Sequence, residues 1–488
     1  MHADLQSAGP GEAPFDVCIF GTGPAGLPIA LELARTGKRI ALIEAGSFEY
    51  TDESQNLYEG SETGLNTWNA LRTKRLRCFG GTSGIWSGRC GLFDEVDFAA
   101  DTYHGLSGWP ITRKAVLEHL PRAAEILDLG AQNLETRPLK EGARSDFVHS
   151  SAAFSPPTRL GDKYRSAIVE SRNVQLFTNA NLVELRLGGR SRGNASLDHA
   201  LLKNYRGRTF KVSARRYVLA LGAVENARLL LSSDKQIPGG IGNHSGYVGR
   251  CFMEHLNVQI GRFVVQDKSF FSDKQSELAP SRELLESQRI GNGVLAANPS
   301  FVPIDYGRLK GFKQMLRQGT CEYETIRDFA RKFGDFNCQG EGVINSLLEQ
   351  CPNPDSRVSL TSEVDALGLR KVNLHWAIND IDRRTIRTLG MELAKELARL
   401  DAARVQLSDF MLDKSQDIPV SQHAHHMGTT RMSSDPRHGV VDENCRVHGV
   451  ANLYVSGPSV FPTGGGTNPT LTIVLLALRL AKHLEKLA

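Results

Sequence analysis

Very little in this 488-residue chain is one-sided. Its eight cysteines, Cys18, Cys78, Cys90, Cys251, Cys321, Cys338, Cys351 and Cys445, contain no C-x-x-C pair. That spacing argues against a zinc ribbon, an iron–sulfur cluster and a redox dithiol, and most of the thiols are expected reduced, in the core or at the surface. Neither sign of charge prevails, with 58 basic against 54 acidic residues and a net charge of +4. Because these charges are spread along the chain, no basic stripe points to nucleic acid. Long apolar runs are missing too. TIVLLALRLA near the C-terminus falls far short of the roughly 18 apolar residues that span a bilayer, and Arg479 interrupts it, so no membrane partner is expected. The opening MHADLQSAGPGEAPF lacks a basic segment followed by an apolar one, which speaks against a secretory signal and for a cytoplasmic protein. What the chain does have is length for about two to four domains. It also has 47 glycines, which fits a backbone that approaches a ligand closely in several places.

Those glycines begin to matter at Phe15. FDVCIF is a short apolar run of the kind expected for a buried parallel strand, and it leads straight into GTGPAG. LPIALELARTGKR then carries apolar residues at helical spacing and stops at Gly37, after which RIALIEAG reads as a second strand. In a strand–loop–helix–strand unit of this type Gly21 permits the sharp turn and Gly23 lets backbone approach a pyrophosphate at the positive helix end. Gly26 allows the helix to pack closely on the strand, and Glu44 at the second strand's end accepts from an adenosine ribose. This predicts dinucleotide binding in an α/β fold, and the segment alone leaves NAD and FAD both open.

The C-terminal block repeats the same physics. ANLYVSG reads as a buried strand, GGGTN as a close-approach loop, and PTLTIVLLALRLAKHL as a helix with Pro469 at its first position. The helix N-terminus would stabilise an anionic group.

GTGPAG with Glu44, RRYVLALGAVENARLLLSS, GRCFMEH, HHMGTTRM, VVDENCRVHGVANLYVSG and GTNPTLTI stand in the order found in the glucose–methanol–choline (GMC) family of FAD-dependent oxidoreductases, which the chain resembles over nearly its whole length. Residues 267–347 match weakly. FGGTSGIWSG and SGWPIT resemble most the branch of pyranose oxidases and bacterial sugar or glycoside dehydrogenases. The resemblance implies FAD as cofactor. Beside Gly21, Gly23, Gly26 and Glu44, it offers Gly80, Gly81, Thr82, Ser83, Ala220, Gly222, Gly457, Asn468, Pro469 and Thr470 as cofactor contacts. Pyranose oxidases carry a flavin-linked histidine two residues after the position of Ser83; here that position is Ile85, so the FAD is expected to be non-covalent.

HAHHMGTTRM poses the remaining question. Strand-like alternation would put His423 and His425 on one face and His426 on the other. A metal would need further ligands, and no nearby Asp, Glu or Cys has fitting spacing, so no metal is expected. Aligned on the family's motif, His425 takes the place of the active-site histidine and Asn468 the second active-site position. Oxidising an alcohol requires removal of the hydroxyl proton as hydride leaves the carbon for flavin N5. A histidine suits the proton step, and an amide suits the developing alkoxide. Asn468 before Pro469 is equally good as a helix cap. His423 and His426 read by default as structural.

The resemblance implies an α/β chain. A Rossmann-type FAD-binding domain would be made of 15–94, 172–254 and 439–488, and a discontinuous α+β substrate domain of 95–171 and 255–438. That second domain is expected to rest on an antiparallel sheet to which VINSLLEQ, RVSLTS and KVNLHWAI contribute. IDRRTIRTLGMELAKELARL reads as an amphipathic helix with Ile386, Leu389 and Leu393 inward. Trp109 or Trp376 would suit stacking on a sugar, and Asp335, Glu341 or Glu349 an amino sugar, although core and surface are their commoner fates. The reading that results is FAD-dependent oxidation of a sugar, glycoside or aminosugar-like polyol, with O2, a quinone or a protein as the electron acceptor. A sterol, choline-like or aliphatic alcohol, or a lyase with structural FAD, are the alternatives. A flavoprotein binding module without catalysis is disfavoured by His425 and Asn468.

Overall fold

The computed structural model describes the whole chain except residues 12, 100–105, 131–133, 140–143, 192–193, 272–276, 300–319, 322, 324, 327–328, 330–339 and 488. FDVCIF forms the strand Phe15–Phe20, and five of its six side chains are buried. It lies near the middle of a six-stranded sheet in the order His2–Asp4, Val174–Thr178, Ile40–Ile43, Phe15–Phe20, Ala214–Leu219, Leu453–Val455. Every pairing in that sheet is parallel. A strand covered on both faces has no polar side to show, which is why the sequence reads as a continuous apolar run. The helix Gly26–Leu33 follows the first strand and packs against the C-terminal helix Thr470–Lys486. Gly26 cannot be replaced cheaply there, since a Cβ would stand 1.9 Å from the Gly21 carbonyl oxygen. The edge strand His2–Asp4 has no counterpart in the sequence reading; three residues carry no period.

A nine-stranded sheet makes the second layer. Its main path runs Ala403–Leu407, Gln259–Val265, Glu341–Leu348, Gly293–Pro299, Glu277–Pro280, Phe147–His149, Arg137–Pro138, with Leu256–Asn257 and Ser421–Gln422 paired off it. All these pairings are antiparallel, and VINSLLEQ lies in the central strand Glu341–Leu348. RVSLTS and KVNLHWAI depart from expectation. They form Arg357–Val364 and Arg370–Trp376, a hairpin in a separate three-stranded sheet that pairs in parallel with Ser61–Gly64. Hydrophobic alternation fixes which face of a strand is buried but says nothing about which neighbour it takes. The amphipathic helix spans Asp380–Arg399 behind a capping box of Asn379 and Asp382, and Ile386, Leu389 and Leu393 are fully buried.

Both tryptophans considered for stacking belong to the core. Trp109 is buried with its indole N–H on Thr463 Oγ1 at 2.7 Å, and Trp376 is buried with its indole N–H on Gln350 Oε1 at 2.9 Å. Asp335 lies outside the described residues. Cys18, Cys78, Cys90, Cys251, Cys351 and Cys445 are free and buried, whereas Cys321 is disulfide-bonded, which cysteine spacing did not foretell. Among the described residues no helix is long and apolar enough to cross a membrane.

Candidate active site

A cavity of about 570 Å³ opens where the parallel strands end. In open parallel sheets ligands bind at the carboxyl ends of strands whose connections diverge, and here the walls come from the ends of Phe15–Phe20, Ile40–Ile43 and Ala214–Leu219. Gly21, Gly23, Glu44, Gly81, Thr82, Ser83, Ala220, Gly222, Asn468, Pro469 and Thr470 all line it, as does Ile85. Gly26, Gly80 and Gly457 do not. Gly26 serves helix packing, Gly80 donates its N–H to Thr22 Oγ1 at 3.0 Å, and Gly457 backs onto the Ala25 methyl. Of the fourteen cofactor positions, the structure therefore sets eleven around one space.

The chemistry of that space suits a dinucleotide. Glu44, buried, takes a hydrogen bond from Thr22 Oγ1 at 2.5 Å and another from the Gly46 N–H at 2.8 Å, and its remaining lone pairs suit a ribose. Arg77 was not singled out from sequence. It lines the same cavity and donates to Ser54 Oγ and Tyr205 OH at 3.1 Å and to Asn181 Oδ1 at 2.8 Å, all neutral acceptors. A guanidinium with neutral partners keeps its charge available to a phosphate. Arg75 and Arg228, by contrast, are balanced by Glu225 and Asp365. These residues fit FAD.

At the other end stand the histidines, brought there by backbone pairing. Met253 and Met427 exchange main-chain hydrogen bonds, and Leu256 pairs with Gln422, so the two segments run antiparallel. Between those two pairings one arm holds Glu254 and His255 and the other holds His423 to His426. The longer arm must bulge, and Ala424 accordingly adopts a positive φ of 63°. The Glu254 carboxyl group holds the bulge, since its Oε1 accepts the N–H of His425 at 2.6 Å and of His255 at 2.9 Å.

The side chains then sort by face. His423 and His425 lie nearly parallel with ring centroids 5.7 Å apart, as alternation predicts. His426 turns the other way, against Phe252 and 3.7 Å from Glu254 Oε2. His423 Nε2 meets the Ser346 carbonyl at 2.9 Å, and His425 Nε2 meets Asn468 Nδ2 at 3.1 Å. Asn468 is no helix cap, because Pro469 occupies that place and no side chain caps the helix. Its amide oxygen instead accepts from Arg89, which also reaches Thr467 Oγ1 at 3.3 Å and is ion-paired with Glu277. Glu349 does not line the cavity. It is buried, and its Oε1 accepts the N–H groups of Gly464 and Gly465 at 3.0 and 3.1 Å, steadying the loop that delivers Asn468. Among the described residues no group of three His, Cys, Asp or Glu has a metal-binding arrangement.

Burial dominates the electrostatics. It drives His425 well below the usual histidine range, helped by the His255, His423 and His426 imidazoles and by Arg89. His255 and His426 are likewise brought down to about 3, chiefly by burial. The imidazoles are therefore neutral at pH 7 and able to accept. Burial pushes Glu254 up to about 8 and Asp382 up to about 7. Between its ordinary value near 4.5 and about 8, Glu254 keeps a proton in the folded chain that the unfolded chain has lost. Stability then falls as pH rises through that window, by up to about 1.4 kcal/mol per pH unit for each such group. The lowered histidines act in the opposite sense, and their contribution is lost as pH falls below about 6.5. Between pH 6.5 and 8 only the acids of this set remain in play, so the melting temperature is expected to decline there. Glu254→Gln, isosteric with the protonated acid, should flatten the decline in a calorimetric pH series; an unchanged slope would mean that Glu254 is ionised in the fold.

Residues 352–477 match the model of the GMC oxidoreductase family, described as "GMC oxidoreductase". The chain is 26% identical to 6'''-hydroxyparomomycin C oxidase of Streptomyces lividus over 99% of this chain and 94% of that protein. It is 32% identical to paromamine 6'-oxidase of Streptomyces fradiae, over 56% of this chain and 46% of that one. Among solved structures, pyridoxine 4-oxidase from Mesorbium loti shares the fold with a TM-score of 0.57 at 17% identity, over 96% of this chain and 99% of that one. The resemblance carried by the motifs is borne out, and so is the mixed α/β fold.

Proposed function

We propose that this GMC-type oxidoreductase of CH–OH donors binds FAD non-covalently and oxidises a hydroxyl of a sugar, glycoside or aminosugar-like polyol to the carbonyl. One observation carries the reading. His425 Nε2 and Asn468 Nδ2 meet at 3.1 Å on the wall of the cavity that the glycine loop and Glu44 also line. FAD, when bound, supplies the acceptor for the hydride. The chain's own residues do the rest. His425 takes the hydroxyl proton, and Asn468 donates to the same oxygen as it becomes alkoxide-like, its amide held by Arg89. The N-terminus of the helix Thr470–Lys486 lines the cavity and would favour negative charge on a cofactor held there. Ile85 on the cavity wall offers no nucleophile for covalent attachment. The parallel sheet with its 15–94, 172–254 and 439–488 segments serves FAD, and the nine-stranded antiparallel sheet serves the substrate. Two relatives named as oxidases of hydroxyparomomycin C and paromamine support an aminosugar-bearing substrate.

The test is an anaerobic absorbance scan of the purified holoenzyme against sugars, glycosides, aminoglycosides and simple alcohols. Bleaching of the flavin band by the sugar-bearing compounds is expected, and readmitting air then reports whether O2 is the acceptor. Bleaching by simple alcohols alone would overturn the substrate class. A colourless protein that refuses FAD would overturn the whole reading.

A further inference from the structure

A second histidine, remote in sequence, touches His425. His255 Nδ1 and His425 Nδ1 are 2.8 Å apart, with the rings edge to face at 87°, and His255 Nε2 lies 2.8 Å from the Gly465 carbonyl oxygen. A neutral imidazole has one donor and one acceptor, and which nitrogen is which follows from its partners. Here the partners leave no choice. A carbonyl can only accept, so His255 Nε2 carries a proton and its Nδ1 is a lone pair. His425 Nδ1 must then donate to it, which leaves His425 Nε2 as the lone pair facing the cavity. That lone pair accepts from the Asn468 amide, whose oxygen faces Arg89, a group that can only donate. The reversed polarity would set the Asn468 NH2 against the Arg89 guanidinium and a His255 lone pair against the Gly465 carbonyl. Both ends of the chain of hydrogen bonds therefore fix the same direction, and both ends are anchored on one loop, at Gly465 and Asn468.

We infer that His255 is a positioning residue that decides which nitrogen of His425 is the base, holding Nδ1 protonated and Nε2 free. When His425 Nε2 takes the substrate proton, its Nδ1–H stays donated to His255, which turns that contact into a charge-assisted bond and stabilises the imidazolium. No proton leaves the pair and no electron moves between them. The role is that of an orienting group behind a catalytic histidine, filled by a neutral imidazole in place of a carboxylate. His255 is buried and does not line the cavity. This inference rests on His425 being the base.

Two variants and one spectrum test it. His255→Asn keeps an acceptor at the position of Nδ1, and His255→Leu keeps the bulk without one. In 15N-histidine spectra of the oxidised wild-type holoenzyme, His425 is expected to show a protonated Nδ1 and an unprotonated Nε2, assigned by its loss in His425→Gln. His255→Asn should keep that pattern, and His255→Leu should move the proton to Nε2 in a large fraction of molecules. With the alcohol that bleaches the wild type, His255→Leu should reduce FAD about a hundredfold more slowly or worse at little changed KM, and His255→Asn should recover most of the rate. A wild-type spectrum with a protonated Nε2 overturns the inference even if the leucine variant fails to fold. So does a leucine variant with wild-type rate and pattern. Should His425→Ala still reduce FAD at the wild-type rate, it is the base assignment that fails, while the spectrum still reports the tautomer.

Discussion

Replacing His425 with alanine is expected to slow the reduction of bound FAD by its alcohol substrate about 10²- to 10⁴-fold, the usual contribution of a positioned general base. The protein should remain yellow. The ring bonds to His255 Nδ1 and Asn468 Nδ2, while the glycine loop, Glu44 and Arg77, proposed to hold the dinucleotide, line the cavity without it. Anaerobic stopped-flow reduction and the flavin spectrum after desalting separate the two effects. A variant that loses FAD and rate together would show His425 to be structural. On the proposal that His425 and Asn468 meet on one reacting oxygen, the double variant with Asn468→Ala should be little slower than His425→Ala alone, as for residues that act as a unit. Additive losses would mean that the two serve different steps.

What the sequence discloses follows from how far each interaction reaches. The fingerprint Gly21, Gly23, Gly26 and Glu44 is legible because strand, turn, helix and strand are consecutive and each constraint is local. His425 and Asn468 are legible through resemblance, 43 residues apart, and they meet in space. His255 is different. It belongs to GRCFMEH, a stretch noted only for its place in the motif order, and its partner lies 170 residues away. The pairings of Leu256 with Gln422 and of Met253 with Met427 bring them together, and so short a ladder carries no readable period. Arg89 escaped for a similar reason: its neighbours Asn468 and Glu277 are 379 and 188 residues distant. A signal was nonetheless available. A catalytic imidazole needs a partner at its second nitrogen, and a search for one among the remaining histidines would have included His255. Glu349 shows the converse error, a carboxylate that charge alone offers to a substrate and that the fold spends on two glycine amides.

The histidine loop can lie against the Met253–His255 segment only because Gly428 follows it. At φ 73°, a Cβ on Gly428 would stand 1.8 Å from the Cys251 carbonyl oxygen and 2.9 Å from its carbon, and the obstacle is backbone that cannot rotate away. Gly428 is also pinned from the far side, its N–H donated to the Pro458 carbonyl at 3.0 Å. Gly428→Ala is therefore expected to destabilise the fold by on the order of 4 kcal/mol, combining left-handed backbone strain with overpacking. Against a total stability of about 5–15 kcal/mol that is a large fraction, and much of the protein should be lost to aggregation. Whatever folds should carry a displaced Met427–Met253 pairing and, with it, a broken contact between His255 and His425. Low soluble yield, a melting temperature reduced by several degrees and slow flavin reduction in the surviving holoenzyme are expected together. A fully folded Gly428→Ala with wild-type melting and slow reduction would place the cost in the site alone. Wild-type behaviour in both would mean that the Cys251 segment can retreat, and that the close approach of the two arms is not what seats the base.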